Sequence, residues 1–443
     1  MMTTATLLLG LLLINIKGEK YMKNHVLDSA QFFTSNTAIA VYVVIVAILV
    51  IVIALTTMLD IRKKRQFRRQ NNLENMEKAR EGKKTRFPEL AEFDANHKDF
   101  EEEPSKEGLT LMSFCEEFRN YAANELHLYY SIEDIRKFIA SLSVTKIMIL
   151  QGMSGTGKTS IAVAFGKFIN NSSTVVPVQP MWKERSDLLG YYNEFTGKFN
   201  ETAILEKLYE ASFSNKMFII VLDELNIARV EYYFSEFLSL LELPATSERD
   251  LIVAAAGAKG DPRKMSHGKI ILPDNVWFLG TANNDDSTFA ISDKVYDRAM
   301  IMNLNNRAEP FEVNEPTGTI HVSTNYFEDL VKKARDSIQL TEEGLAKIRE
   351  LDAYLVSKFH VTFGNRIMMQ IGKYVPVFVA CGGKEVEALD DIISKKILRK
   401  LESQNPVYVR SNAEELIAKL DEIFGQDVMQ NCIEYVRQIA NNG

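Results

Sequence analysis

Residues 146–169 read KIMILQGMSGTGKTSIAVAFGKFI, and residues 152–159 of this stretch fit the pattern G-x-x-x-x-G-K-[ST]. The apolar run before the glycines predicts a buried strand, and the residues after them predict a helix. A glycine turn between a strand and a helix lets successive backbone N–H groups surround phosphate oxygens, and the helix N-terminus adds positive potential. The stretch therefore predicts a phosphate-binding loop, and its strand-loop-helix order argues against a chance glycine turn.

The side chains of this loop have distinct expected roles at a bound nucleotide. Lys158 is expected to reach the β and γ phosphates, and the Thr159 hydroxyl is expected to ligate Mg²⁺. The backbone of the loop is expected to supply further contacts. The loop residues predicted to bind the nucleotide are Gly152, Ser154, Gly155, Thr156, Gly157, Lys158, Thr159 and Ser160.

A second apolar run, MFIIVL at residues 217–222, predicts a buried strand that ends in Asp223 and Glu224. Asp223 is expected to hold Mg²⁺, directly or through water, and Glu224 to polarise the attacking water. The alternative is an acidic pair in a surface loop. The unbroken apolar strand leading into the pair favours the first interpretation.

The remaining pattern predicts an α/β fold followed by a helical domain. Strands are predicted at 175–178 and 275–281, and a helix is predicted at 231–243. Because strands alternate with helices, we expect a parallel sheet covered on both faces. Beyond residue 320 the strand pattern ends. Helices are predicted there at 341–359, 366–379, 390–401 and 412–424.

The bulk numbers restrict the possible classes of protein. A chain of 443 residues is long enough for two or three domains. The net charge of −7 excludes an overall basic field for nucleic acid, although a local basic patch stays open. The three cysteines are far apart and lack metal-ligand spacing, so we expect reduced thiols in a cytosolic compartment.

The N-terminal region predicts a membrane anchor. Residues 38–55, AIAVYVVIVAILVIVIAL, are eighteen apolar residues in a row, and six basic residues follow between positions 62 and 69. A run of this length can cross a bilayer as a helix, and the basic flank places its C-terminal side in the cytoplasm. We therefore assign residues 37–59 to a single transmembrane helix in the cell membrane, with a basic and charged linker at residues 60–108. Residues 1–36 are either signal-like or an over-extended start, because Met22 also begins a plausible protein.

Residues from about 147 to 370 resemble AAA+ ATPases of the MoxR/McrB branch, the dynein-related type. The motifs that carry the resemblance are GMSGTGKTS (152–160), VQPMWKERSDLLGYYNEFTGKF (178–199), VLDELNIARVEYYFSEFLSLLE (221–242), LPDNVWFLGTANNDDSTFAISDKVYDRA (272–299) and FGNR (363–366). The resemblance implies a P-loop NTPase (AAA+) core at 109–310 and a helical lid domain at 320–443. It also implies that the chain binds ATP with Mg²⁺.

The resemblance also implies roles for residues outside the phosphate loop. Asn283 resembles the sensor 1 residue, whose amide orients the lytic water. Arg298 resembles the arginine finger that reaches the γ-phosphate of a neighbouring subunit. Arg366 resembles the sensor 2 residue that contacts the nucleotide from the lid, and Arg229 resembles a second interface arginine.

Two segments depart from or extend the family pattern. Relatives that use GTP carry Asn-x-x-Asp-Arg after sensor 1, whereas this chain has Ser287 at the arginine position, which favours ATP. The finger motif lacks the usual paired arginines, because Asp297 precedes Arg298 and Ala299 follows it. Residues 250–269 resemble an insertion near the central pore. Its basic residues are Lys259, Arg263, Lys264 and Lys269, and they either contact a gripped partner or lie in a flexible loop.

These inferences lead to one main hypothesis and two alternatives. The main hypothesis is a membrane-anchored AAA+ ATPase that hydrolyses ATP in a ring, a hexamer by family expectation, and remodels a partner macromolecule. A protein partner is favoured over nucleic acid. The alternatives are an McrB-like motor subunit of a nucleic-acid restriction or defence system, and a nucleotide-gated membrane scaffold with little turnover. The intact Lys158, Asp223 and Glu224 favour an enzyme over the scaffold.

Overall fold

The computed structural model describes residues 85–97, 100, 102–243, 249–283, 288–305, 308–313 and 315–442. Within these ranges, no helix combines the length and the apolar character that crossing a membrane requires. The predicted transmembrane helix at 37–59 and the segment at 1–36 lie outside the described residues, so both assignments stay predictions.

The strands and helices follow one another along the chain. The strands are β1 (Ile147–Gln151), β2 (Thr174–Pro177), β3 (Gly190–Asn193), β4 (Lys198–Glu201), β5 (Phe218–Asp223), β6 (Asp250–Ile252), β7 (Lys269–Ile271), β8 (Val276–Ala282) and β9 (Met300–Asn303). The helices are α1 (Pro88–Asn96), α2 (Leu111–Leu126), α3 (Ile132–Val144), α4 (Lys158–Phe168), α5 (Ser186–Leu189), α6 (Ala203–Ala211), α7 (Val230–Tyr233), α8 (Ser235–Leu240), α9 (Asp293–Tyr296), α10 (Thr324–Ser337), α11 (Glu342–Phe359), α12 (Asn365–Ala380), α13 (Glu385–Lys396), α14 (Pro406–Phe424) and α15 (Gln430–Asn442).

The central sheet has five strands in the order β2-β5-β8-β1-β9, and every neighbouring pair is parallel. In this register Ile149 lies opposite Gly280, and Leu222 lies opposite Gly280 from the other side of β8. The carboxyl ends of all five strands therefore meet at one edge of the sheet. Ligands of open parallel sheets bind at this edge.

Both faces of the sheet are buried, as the strand pattern predicted. In β5, Ile219 and Val221 pack into one apolar cluster, while Ile220 and Leu222 pack into a second cluster on the opposite face. The first cluster continues into the helices that follow β9, so the helical C-terminal region shares a core with one face of the sheet. Trp277 in β8 is buried in this cluster and donates its indole N–H to the Leu142 carbonyl at 2.9 Å.

Several elements differ from the sequence prediction. The helix predicted at 231–243 is two short helices, α7 and α8, because the chain turns at Phe234. The helix predicted at 412–424 begins earlier, at Pro406, where proline suits the first helical turn and Asn405 caps it. Sequence reasoning missed β9, the hairpins β3–β4 and β6–β7, and the helices α1, α5, α6, α9, α10 and α15. Helix α1 lies in the segment predicted as a charged linker, and Leu90 in it is buried in the core beside Phe87. The missed strands are short and lack a clear alternation.

Candidate nucleotide-binding site

The backbone of the phosphate loop takes conformations that only glycine adopts easily. Gly155 and Gly157 have φ angles of 80° and 93°, and Gly157 directly precedes α4. At Gly152, with φ 148°, an added Cβ would lie 2.3 Å from the Leu304 carbonyl oxygen. These positions explain why the turn between β1 and α4 needs its glycines. The turn leaves the N-terminus of an eleven-residue helix facing the loop.

Lys158 lies across this loop. Its ammonium donates to the carbonyl oxygens of Gly152 at 3.0 Å and Met153 at 2.7 Å, and the residue is only 7% exposed. Burial lowers the pKa of Lys158, and the carboxylates of Asp223 and Glu224 oppose that change. The ammonium is therefore held at the mouth of the loop, where phosphate oxygens would be its alternative partners.

Three side chains join the phosphate loop to the ends of β5 and β8. The Asp223 Oδ1 atom accepts hydrogen bonds from the hydroxyls of Thr159 and Thr281, each at 2.7 Å. The Thr281 hydroxyl also accepts the backbone N–H of Glu224 at 2.8 Å. The carboxylate of Asp223 and the start of the Glu224 turn are thus fixed by one buried threonine. Sequence reasoning did not single out Thr281, because its role depends on the pairing of β5 with β8.

Glu224 itself occupies an unusual backbone conformation. Its φ of 54° and ψ of 48° lie in the left-handed region, which non-glycine residues rarely adopt. The residue follows β5, directly precedes a short 3-10 turn at Leu225–Ile227 and is exposed. Backbone strain of this kind is concentrated at functional sites. The carboxylate is accessible to water at the edge where the loop and Asp223 lie.

Two amides lie beside this cluster. Asn226 donates to the backbone carbonyl of Asn283 at 2.9 Å, and within the described residues the buried side-chain oxygens of Asn226 and Asn283 have no hydrogen-bond partner. Both residues line a polar cavity of about 380 Å³ that also borders Gln151 and Gly152. A buried acceptor without a partner is costly unless a donor such as water or a ligand reaches it. The structure therefore places Asn283 next to the start of the phosphate loop.

Tyr130 is a further residue that sequence reasoning missed. Its hydroxyl donates to the Gly157 carbonyl at 3.3 Å, just before α4 begins. Burial raises the pKa of Tyr130, so the hydroxyl keeps its proton and acts as the donor. Tyr130 precedes α3, and this contact ties that part of the chain to the phosphate loop.

The two arginines predicted as finger and sensor 2 meet at one carboxylate. Glu242 pairs with Arg298, with its Oε2 atom 2.8 Å from Nε, and with Arg366, with its Oε1 atom 2.9 Å from Nη2. Arg298 also donates to the Lys294 carbonyl at 2.9 Å. Neither arginine forms a hydrogen bond or ion pair with the described phosphate loop. The structure therefore brings them together with each other, and a role for Arg366 at the phosphates of its own chain stays a prediction.

Arg229 lies near the acidic pair but outside this cluster. Its guanidinium is 3.9 Å from the Glu231 carboxylate and lies 5.1 Å from the centre of the Phe289 ring. Its side chain is half exposed. These contacts leave Arg229 accessible, as an interface arginine must be, and they do not test that role.

The basic insertion at 250–269 is tied to its own chain. Lys269 pairs with Asp250 at 2.9 Å within the β6–β7 hairpin, and Arg263 pairs with Asp94 at 3.1 Å. Lys264 donates to the carbonyl of Ser212. Three of the four basic residues expected to grip a partner therefore have partners in this chain, while Lys259 is exposed. The insertion is therefore a hairpin that is anchored to its own chain.

Comparisons with known proteins agree with this geometry. Residues 147–299 match the model of the AAA domain (dynein-related subfamily), and residues 317–443 match a domain of unknown function (DUF8727). The fold and the site thus define an AAA+ nucleotide-binding module, which confirms the predicted core. Within that class, residues 147–299 are similar to the dynein-related subfamily. No protein with a curated function matches the sequence.

Two of the matching solved structures differ widely from this chain in sequence. A protein from Cytophaga hutchinsonii provisionally described as an ATPase is 15% identical, with a TM-score of 0.45 over 70% of this chain and 94% of that one. A full-length MCM homolog from Methanopyrus kandleri is 12% identical, with a TM-score of 0.37 over 67% of this chain and 63% of that one.

Proposed function

We propose that this protein is an ATP hydrolase that works as an oligomeric ring and remodels a partner macromolecule. The observation that carries the proposal is the cluster at the carboxyl edge of the sheet. There Lys158 closes over the phosphate loop, and the Thr159 and Thr281 hydroxyls fix the Asp223 carboxylate beside Glu224.

The residues of this edge fit a nucleotide with Mg²⁺. Hydroxyl and carboxylate oxygens are ligands that Mg²⁺ accepts, and it usually takes only one or two carboxylates together with substrate phosphates. The Thr159 Oγ1 and Asp223 Oδ1 atoms are 2.7 Å apart, so one ion could contact both. When bound, Mg-ATP would supply the phosphoryl group for transfer to water, and the metal would neutralise part of its negative charge.

The side chains of this chain have separate tasks in that reaction. Lys158 balances phosphate charge, and Glu224 orients a water and accepts its proton. The Asn283 amide, whose buried oxygen has no hydrogen-bond partner among the residues that the structure describes, can hold the same water. Thr281 keeps Asp223 and the Glu224 backbone in register.

The position of the arginines supports a site completed between subunits. Arg298 and Arg366 share Glu242 and form no hydrogen bond or ion pair with the described phosphate loop of their own chain. A cation in that position can neutralise phosphate charge bound by a neighbouring copy. We therefore propose a ring, with a hexamer as the family expectation, in which Arg298 acts on the next subunit.

The membrane anchor and the partner belong to the same proposal. The apolar run at 38–55 and the basic flank at 62–69 support a single span with the ATPase domain in the cytoplasm. The net charge of −7 favours a protein partner over nucleic acid. Carbonate extraction of membranes from cells that express the full chain tests the anchor, and a fully extractable product would contradict it.

Substitution of Glu224 tests the hydrolase. Glu224→Gln should keep ATP binding but lower steady-state phosphate release by on the order of a hundredfold or more, because the water loses its base. Fluorescent-nucleotide titration measures binding, and a coupled phosphate assay measures turnover. A matched control is Glu210→Gln, which removes a carboxylate from a partly exposed ion pair with Lys207 and should leave ATP binding and turnover unchanged. Wild-type protein that binds ATP without turnover would contradict the proposal and leave the nucleotide-gated scaffold.

A further inference from the structure

The turn that carries Arg298 is held by the helical C-terminal region. The Lys396 ammonium donates to the Tyr296 carbonyl at 2.6 Å and also to the Ala299 carbonyl. Gln370 donates its side-chain amide to the Asp297 carbonyl at 3.0 Å. Lys396 and Gln370 are only 4% and 6% exposed, so both contacts are shielded from water.

A third residue of the helical region, Arg399, contacts two side chains of the same turn. The Arg399 guanidinium lies 3.6 Å from the centre of the Tyr296 ring and pairs with the Asp293 carboxylate. The turn at residues 293–299 is therefore held from one side at three backbone carbonyls, one ring and one carboxylate. All of these contacts come from residues of α12, α13 and the 3-10 turn at Leu398–Ser403.

These contacts stabilise a turn whose own helix is too short to be stable alone. Helix α9 has only four residues, too few to be stable alone. The carbonyls at a helix C-terminus lack partners within the helix and need outside donors. Lys396 supplies such a donor where water cannot reach, although burial lowers the pKa of Lys396 to about 7. Burying a lysine is costly unless its ammonium is paired, so the position of Lys396 indicates a specific contact rather than simple packing.

The same turn also contacts the phosphate loop. The Gln151 amide donates to the Tyr296 hydroxyl at 2.5 Å, and Gln151 directly precedes Gly152 of the loop. Tyr296 therefore contacts the residue before the phosphate loop on one side and the helical region on the other. Arg298 follows it by two residues.

We propose that Lys396 is a positioning residue for Arg298, and that the helical region matched by the domain of unknown function sets the finger that completes the neighbouring subunit's site. This inference rests on the proposed ring hydrolase. Loss of the Lys396 ammonium leaves the carbonyls of Tyr296 and Ala299 without their donor, so the turn shifts and Arg298 no longer meets the neighbouring phosphates. The nucleotide site of the same chain keeps all its residues.

The test compares Lys396→Met with a matched control in the full-length protein. Lys396→Met should lower kcat by on the order of tenfold to a hundredfold, as is typical when a supporting contact of a catalytic group is lost, with KM and ATP affinity within twofold of wild type. The control is Arg335→Met, which removes another cation of the helical region, one that donates to the Ser143 carbonyl at 2.7 Å. It should change thermal stability without changing kcat.

Mixing of subunits separates positioning from general damage. Lys396→Met chains have an intact phosphate loop and a misplaced finger, whereas Lys158→Ala chains have the reverse. A mixture should therefore recover part of the lost turnover. The double variant Arg298→Ala/Lys396→Met should be no slower than Arg298→Ala alone, because both changes remove the same function.

Each contrary result has a distinct meaning. Wild-type kcat in Lys396→Met, additive losses in the double variant, or no recovery on mixing would overturn the positioning role and leave the hydrolase standing. Absence of turnover in the wild-type protein would overturn the proposed function and this inference with it. If Lys396→Met fails to fold, Gln370→Met takes its place, because it removes the contact to the Asp297 carbonyl of the same turn. It should show a smaller loss of kcat with unchanged KM. A wild-type kcat in Gln370→Met would overturn the positioning role.

Discussion

Two parts of the site are built in different ways. The phosphate edge consists of the loop at 152–159 with Asp223, Glu224 and Thr281, and the arginine turn is the turn at 293–299. At the phosphate edge, Lys158 contacts the backbone of its own loop, and Asp223 and Thr281 meet because β5 and β8 are adjacent strands. At the arginine turn, Arg298 is held by Glu242 and by a turn that depends on residues 73 to 106 positions away in sequence. One region is assembled by the sheet and the other by domain packing.

This difference indicates that the arginine turn, rather than the phosphate edge, is the part of the site that can be regulated. Strand pairing fixes the phosphate edge in every folded copy, because moving it would break the central sheet. The arginine turn can shift when the helical region shifts, because its carbonyls depend on Lys396 and Gln370. We therefore expect changes in oligomeric or partner state to act on the arginine side.

The strongest test of this comparison is Arg298→Ala. If Arg298 acts on a neighbouring subunit, the variant should bind ATP normally and lose turnover on the order of a thousandfold, as for other arginine fingers. Lys158→Ala should instead lose ATP binding, because the cation that balances the phosphates is gone. Steady-state phosphate release and nucleotide titration measure the two defects.

Mixing the two variants sharpens the result. A ring that contains both can form an interface with an intact loop from one chain and an intact finger from the other, so partial activity should return. Near-normal turnover of Arg298→Ala alone would contradict the finger assignment and make Arg229 the next candidate. A dead variant that mixing never rescues would contradict independent action at each interface.

The phosphate edge was predictable because its signals are local. The glycine pattern at 152–159 encodes the turn directly, since the φ angles of Gly152, Gly155 and Gly157 suit glycine. The acidic pair follows an apolar strand, and parallel strands end at one edge of the sheet. Thr281 was missed because a hydroxyl within a strand carries no pattern, and its role depends on the register between β5 and β8.

The arginine turn was only partly predictable. Family resemblance predicted roles for Arg298 and Arg366, and these roles stay predictions. No sequence signal indicates that both arginines pair with Glu242. Lys396 is the last residue of α13, which begins at Glu385 rather than at residue 390 as the sequence pattern predicted. Contacts between distant residues depend on how domains pack, and one sequence without an alignment does not contain that information.

A second test perturbs the phosphate edge without touching the nucleotide. Thr281→Val keeps the shape of a buried side chain but removes the hydroxyl that bonds Asp223 and the Glu224 backbone. Turnover should fall by on the order of tenfold to a hundredfold, as for other partners of metal ligands. ATP affinity should change less. The control is Thr324→Val, at another buried threonine, whose hydroxyl donates to the Lys216 carbonyl at 3.4 Å. Equal turnover in the two variants would show that Thr281 has no orienting role.

The smallest effect is expected from removing the Glu242 carboxylate that both arginines share, and it concerns the unfolding free energy. Glu242→Gln removes two ion pairs, but the side chains of Glu242 and Arg366 are 31% and 46% exposed, so water and salt screen them. The unfolding free energy should therefore fall by at most about 1 kcal/mol. Urea unfolding at low salt and at high salt measures it, and the difference from wild type should shrink as salt rises.

The matched control for Glu242→Gln is Glu350→Gln, which removes a single exposed ion pair with Lys419 in the helical region. The two variants should lose similar small amounts of stability. If Glu242→Gln instead lost several times more and salt did not reduce the loss, the arginine turn would be as firmly built as the phosphate edge. That outcome would contradict the view that only the arginine side is free to respond to its neighbours, because the shared carboxylate would then hold both arginines against displacement by a phosphate.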